Sequence, residues 1–249
     1  MKTASLILTA LVFAKSLLAQ HADYYGTAHT ANETTYLTKP VYTTSNANAI
    51  YFSGRFSHTV FPYYDNERTY FGELSLHRSH TWKHINLSYG ILGYGGSYRI
   101  HEVERYAGNK YFGGTGATGE LNFNLPFKKV DYRVIGVRTT LFYENGDYAS
   151  FRKIAENDTL IENVNWFHGG INVSLYYEVL FKLHKIILGI YAASGPTFWN
   201  KNWLAWPTNY SISLSHKRMT YFAQWQFFGE YYGASVSAGI TYQIQYNLK

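Results

Sequence analysis

The constraint that narrows the fold most is an unbroken alternation at the C-terminal end. From Ala234 to Leu248, one face carries Ala234, Val236, Ala238, Ile240, Tyr242, Ile244, Tyr246 and Leu248, and the other carries Ser235, Ser237, Gly239, Thr241, Gln243, Gln245 and Asn247. Successive side chains of a strand point to opposite faces, so a period of two marks a sheet with one apolar side. Strands of soluble sheets usually run about 5–6 residues, whereas a tilted strand crossing a bilayer needs roughly 9–11. An apolar face toward lipid and a small polar face toward a lumen describe a membrane barrel.

Similar segments recur upstream, at about 49–60, 69–79, 83–95, 114–125, 131–143, 165–179, 184–194, 208–215 and 218–228. With 232–248 they make ten. The segment at 184–194 has an ambiguous face, because Ile186, Leu188 and Ile190 compete with Ile187 and Tyr191. Connections alternate in length: Ser79–Trp82, Pro126–Val130, Leu180–Leu183 and the His216-Lys217 corner are short, while Gly96–Gly113, Glu144–Val164 and Ser194–Pro207 are long. Short turns on one rim and long loops on the other are the habit of outer-membrane barrels. The fold class expected is all-β, a transmembrane antiparallel up-and-down β-barrel of about ten strands, over residues 48–249.

Composition agrees with this reading. Charged residues are 15% of the chain, against about 25% in soluble proteins, and aromatics are 19% with 25 Tyr. A secreted, soluble ligand-binding barrel would need more surface charge. With no Cys, a disulfide framework or thiolate metal site is excluded. The net charge is +6, but the basic residues are scattered among turns and loops, without the clustered stripe that tracks nucleic acid.

Residues 1–19, with Lys2 followed by a mostly apolar run interrupted at Lys15, read as a cleaved signal peptide. Residues 20–47 lack periodicity and precede the first strand on the short-turn side. They read as a periplasmic tail or as a segment that plugs the lumen, with Tyr24, Tyr25, Tyr36 and Tyr42 supplying surface for docking.

The terminal run Ser237-x-Gly239-x-x-Tyr242-x-Ile244 resembles the last-strand assembly signal of small bacterial outer-membrane β-barrel proteins. The resemblance implies export to the outer membrane, contact with its lipid or lipopolysaccharide, and handling by the barrel-assembly machinery, with Gly239, Tyr242 and Ile244 as the recognised positions. The chain ends on Leu248-Lys249, where the group more often has a terminal aromatic. The Ala19-Gln20 junction and the Tyr content look like Bacteroidetes proteins. Asp158-Thr159-Leu160 resembles the O-glycosylation tripeptide of that phylum.

For the lumen, hairpin arithmetic sets Arg55 opposite Glu73 and Glu120 opposite Arg138, a network that rigidifies the interior or lines the constriction of a narrow solute channel. His77 and His84 are expected to face each other as a structural pair, without a third ligand that would make a metal site. His168 near Glu144 and Asp147 is the material for a His–acid pair of the kind general-base chemistry needs. The Asp-Asp and His-x-Ser arrangements of omptin-type proteases and lipid A-modifying barrels are missing, so no catalytic residue and no cofactor is assigned. Phe198, Trp199, Trp203 and Trp206 concentrate in the loop Ser194–Pro207, where exposed aromatics call for a partner, a glycan or the membrane. The function expected is non-enzymatic: a structural or accessory subunit presenting extracellular loops, alone or within an outer-membrane complex.

Overall fold

The computed structural model describes residues 25–28, 36–41, 46–61, 67–101, 104–158, 161, 164, 166–199, 202–205, 207–227 and 234–248. The signal segment 1–19, Trp206 and Thr159-Leu160 lie outside them.

Ten long strands close into an antiparallel barrel. They are β1 (Ala47–Phe61), β2 (Glu67–Thr81), β3 (Ile85–Ile100), β4 (Gly108–Pro126), β5 (Val130–Asn145), β6 (Gly169–Leu183), β7 (Ile186–Ser194), β10 (Thr208–His216), β11 (Met219–Phe227) and β12 (Ala234–Leu248). A short hairpin, β8 (Thr197–Trp199) and β9 (Asn202–Ala205), stands between β7 and β10, and the helix α1 (Asp147–Ala155) lies between β5 and β6. Each strand pairs with its sequence neighbour, and β1 pairs with β12 from Ala47↔Leu248 to Val60↔Ala234. Closure leaves no open edge in the wall, so the strand backbones pair with one another and not with water.

The outside of this wall is apolar. Phe56, Leu74 and Ile91 are 58%, 58% and 64% exposed, and Ile212, Tyr221, Val236 and Ile240 face outward with them. In water that surface would be a penalty, and in hydrocarbon it is the solvent match. Inward positions are polar and buried, among them Ser53, Ser75, Asn86, Asn122, Thr140, Ser211 and Thr241. On β7 the ambiguity resolves: Ile186 and Ile190 are exposed while Tyr191 and Ala193 are buried.

Two long connections differ from the expected loops, and the short turn expected at Leu180–Leu183 falls at His184-Lys185, because Leu180–Leu183 stay paired in β6. β3 and β4 stay paired up to Ile100↔Gly108, so the long loop expected at Gly96–Gly113 shrinks to a short connection. Two glycines there are wall residues: a Cβ on Gly114 would sit 2.2 Å from the Tyr94 ring, and one on Gly96 1.9 Å from the Tyr70 carbonyl. Gly96 and Gly114 mark close backbone or aromatic approach, whereas Gly108, at φ 121°, belongs to the connection itself. The stretch Glu144–Val164 holds α1, which buries Tyr148, Ala149, Phe151 and Arg152.

A third irregularity sets the lumen chemistry. β5 carries a bulge between Arg133 and Gly136, with Ile135 at φ 51° and turned outward. One extra residue reverses the in–out parity. Arg133 and Arg138 lie five positions apart, on opposite faces of a regular strand, yet both are buried at 1% exposure.

Candidate functional site

The interior is occupied by the chain's own N-terminal segment. Residues Tyr36 to Pro40 are buried and bonded to inward strand residues on several sides. The Thr38 carbonyl lies 3.0 Å from His77 Nε2 and accepts a hydrogen bond from Ser79 Oγ at 3.1 Å. The Pro40 carbonyl accepts from Thr81 Oγ1 at 2.8 Å and from Arg133 Nη2 at 2.9 Å. Lys39 Nζ lies 3.2 Å from Glu120 and 3.5 Å from Glu178, and 4.9 Å from the centre of the Tyr176 ring. Glu178 accepts the Tyr36 hydroxyl at 2.7 Å and Arg133 Nη1 at 2.9 Å. The Tyr36 ring sits against Tyr191 and Phe222.

Lys39, Arg133 and Arg138 share this space with Glu120 and Glu178, so each carboxylate has a cation beside it, where an uncompensated buried ion costs several kcal/mol. Lys39 completes the arrangement from outside the barrel sequence, as a built-in cation for two acidic strands.

Toward the long-loop rim the lumen becomes apolar. Phe71, Leu92, Tyr94, Tyr98, Phe112 and Phe142 from the strands pack with Tyr148 and Phe151 of α1, and with Tyr25 and Ala28 of the N-terminal segment. Two carboxylates fix this cluster. Glu67 accepts the hydroxyls of Tyr25 and Tyr98, both at 2.8 Å. Glu144 accepts Arg152 Nη2 and the Ala28 amide, both at 2.8 Å. Burial pushes the Tyr148 hydroxyl well above the usual phenol range, so it stays protonated and donates to the Gly26 carbonyl at 2.9 Å. Tyr25 and Ala28 therefore sit toward the long-loop rim, and Tyr36–Pro40 toward the short-turn rim.

The sequence-derived residues fall as follows. Arg55 Nη2 meets Glu73 at 2.7 Å, with the guanidinium 5.2 Å from the Phe71 ring centre. An open pocket of about 450 Å³ touches this pair and is lined further by Gly72, Leu74, Gly93, Tyr94 and Gly95. Glu120 and Arg138 are cross-strand neighbours, with Glu120 ion-paired to Lys39. His77 and His84 do not meet: His77 is opposite Gly90 and bonded to the N-terminal segment, and His84 is exposed at its turn. The turn starts after Thr81 and displaces His84 from the inward register.

His168 precedes β6, with Nδ1 2.9 Å from the Glu144 carbonyl. The Glu144 carboxylate is taken by Arg152, and Asp147 is exposed at the start of α1. Gly239 lies under the Phe222 ring, whose Cζ a Cβ would meet at 2.2 Å, and Tyr242 and Ile244 face outward. Asp158 is held by Arg105 and by the Tyr106 hydroxyl. Phe198 is exposed and pairs with Trp203 in the β8–β9 hairpin, which extends from β6 at Ile171↔Phe198. Trp199 lies in β8 of the same hairpin.

Sequence reasoning missed Lys39, Arg133, Glu67 and Arg152. For Arg133 a signal existed: counted from Arg138 it falls on the lipid face, where a cation costs roughly 2–4 kcal/mol at mid-depth. That conflict is resolved only by a bulge.

No family model and no curated protein matches the sequence. Among solved structures the chain is similar to the β-domain of the Bordetella autotransporter BrkA, at 8% identity and TM-score 0.47, over 80% of this chain and 100% of that one. It is also similar to the translocator domain of the autotransporter NalP from Neisseria meningitidis, at 12% identity and TM-score 0.36, over 81% and 90%. A third is the outer-membrane protease OmpT from Escherichia coli, at 8% identity and TM-score 0.34, over 85% and 99%. No residue role passes from these proteins to this chain.

Proposed function

We propose that this protein is a non-enzymatic accessory barrel of the bacterial outer membrane, which presents its long-loop rim to a partner protein or a glycan. The observation that carries the reading is the occupied lumen. Tyr36–Pro40 is buried against Glu120, Glu178, Arg133, His77 and Ser79, and the mouth above is packed by α1 and Tyr25. An interior filled in this way is suited to rigidity rather than to flux. The N-terminal segment acts as a plug in this reading.

The rim offers a contact surface. Among the described residues β9 pairs with β8 alone, so the hairpin carries a free edge. Free edges accept an added strand, and the adjoining Phe198 supplies an exposed aromatic.

The test is a gentle-detergent pull-down of the tagged protein from its native membrane, with mass spectrometry of co-eluting chains. A stoichiometric partner, lost on Phe198→Ala together with Trp203→Ala, supports the reading. Planar-bilayer recording gives the second arm. A silent barrel fits an accessory subunit, whereas a reproducible open level in the intact chain favours a narrow channel with Arg55, Glu73, Glu120 and Arg138 at its constriction.

A further inference from the structure

The four short turns are built from basic and aromatic residues: Trp82-Lys83-His84, Phe127-Lys128-Lys129, His184-Lys185 and Lys217-Arg218. None of them contains an acid. In the sequence these positions are scattered over more than half of the chain, and a linear reading finds no cluster. The barrel brings all four to one rim, at the hairpins β2–β3, β4–β5, β6–β7 and β10–β11. There Lys83, Lys128, Lys129, Lys185, Lys217 and Arg218 are exposed. The acid nearest these turns, Asp131, is buried and ion-paired to Lys182, so it leaves the rim's charge positive. The opposite rim is mixed, with exposed Glu104, Asp147 and Glu156 beside Arg99 and Arg105.

Two of the turns carry this charge against backbone preference. His184 and Lys217 are the first residues of two-residue hairpin loops and have φ of 39° and 53°. Such positions favour Gly, Asn or Asp because a Cβ is strained there. Lys217 holds one of these slots instead, which points to a use for its charge.

The placement identifies the partner. The basic residues do not form a stripe on one face; they circle the wall at one height. Just inside that height lie outward Trp82, Phe127 and Tyr132, with Phe127 and Tyr132 in edge contact at 5.9 Å. Aromatic residues of this kind settle at the headgroup level of a bilayer. Long basic side chains beside them reach the phosphate layer with their stems along the apolar wall.

We propose that the short-turn rim is a docking ring for the phosphate headgroups of anionic phospholipids in the leaflet it touches. The ring fixes the depth of the barrel and enriches anionic lipid around it. This does not depend on the accessory function, nor on which compartment the rim faces.

The test reconstitutes the full chain in phosphatidylcholine vesicles containing trace spin-labelled phosphatidylglycerol or spin-labelled phosphatidylcholine, and compares the two motionally restricted fractions. The natural chain is expected to prefer phosphatidylglycerol several-fold, with the preference lost in about 0.5 M salt, where exposed charges are screened beyond a few ångströms. Lys128→Gln/Lys129→Gln/Lys185→Gln/Lys217→Gln should bring the ratio close to one, and Arg99→Gln/Lys110→Gln on the other rim should leave it unchanged. Folding is read from heat-modifiable gel mobility. If the fourfold variant does not fold, Lys128→Gln/Lys129→Gln should still lower the ratio by a measurable part. Equal association of both lipids with the natural chain, or a preference that survives the turn substitutions, overturns the proposal. Salt-sensitive retention of soluble polyglutamate without lipid selectivity also overturns it, in favour of an acidic protein partner.

Discussion

Glu178→Gln tests whether the N-terminal segment is held in the lumen by charge. The amide keeps the volume and an acceptor for the Tyr36 hydroxyl, 2.7 Å away, but removes the charge facing Arg133 at 2.9 Å and Lys39 at 3.5 Å. Lys39 retains Glu120 at 3.2 Å, so the exposed deficit falls mainly on Arg133, whose side chain is 1% accessible. Removing one member of a buried pair costs roughly 3–5 kcal/mol, and the retained Glu120 places this case near 3 kcal/mol, or about 6–12 °C in Tm for a chain of this size. Urea unfolding in detergent micelles reads the stability. A second readout follows from the absence of Cys: the thiol of Thr38→Cys, at a buried position, should resist a water-soluble maleimide and label faster when Glu178→Gln is added. The pair Arg133→Met/Glu178→Leu removes both charges and should recover most of the lost stability, since apolar replacement of a buried pair is often neutral. Glu178→Gln within about 0.5 kcal/mol of the natural chain, with unchanged labelling, would refute the electrostatic account.

Other perturbations address the wall. Deleting Ile135 removes the bulge and forces either Arg133 or Arg138 toward lipid; with roughly 2–4 kcal/mol for a misplaced cation and the lost pairing, folding yield in detergent should fall sharply, whereas Ile135→Gly should fold and gain up to about 1 kcal/mol by relieving the positive φ. Gly136→Ala places a Cβ 2.3 Å from the Tyr176 ring, so it should destabilise the barrel, and Tyr176→Leu should rescue it in the same unfolding assay. Ile91→Arg, at a position 64% exposed on the outer face, should cost roughly 2–4 kcal/mol in lipid-reconstituted unfolding, with a smaller effect in detergent.

The wall was legible in the sequence because a barrel strand repeats one physical instruction at every second residue. All ten strands were located, and the errors came where that instruction is suspended. The run Gly96–Gly113 reads as a loop, yet it continues β3 and β4 up to Ile100↔Gly108, and a Cβ on Gly96 would meet the Tyr70 carbonyl at 1.9 Å. α1 was missed because its buried residues belong to the lumen cluster, a partner that exists only after the barrel closes. Arg133 was lost to the bulge. The pair Arg55–Glu73 was recoverable because its members face each other across one hairpin, whereas Lys39 reaches Glu120 and Glu178 across much of the chain, and nothing local announces such a contact.

The width of the barrel explains why the missing parts belong together. Side chains just fill a barrel of about eight strands, so two more strands open a core that inward residues of ordinary size leave hollow. An empty lumen would leave Glu67 and Glu144 facing water, while Glu178 kept Arg133 and Glu120 kept Arg138 as wall neighbours. The chain fills that space twice. At the short-turn end, Tyr36–Pro40 brings one cation and several backbone carbonyls to an acidic and hydroxyl-rich wall. At the long-loop end, α1 and Tyr25 bring rings to an aromatic wall. Each end receives a complement to its wall: backbone carbonyls and a further cation in one case and apolar volume in the other. The charged groups are answered by the chain's own segments, while smaller inward polar groups such as Ser75 and Asn86 keep side-chain atoms that no protein group satisfies.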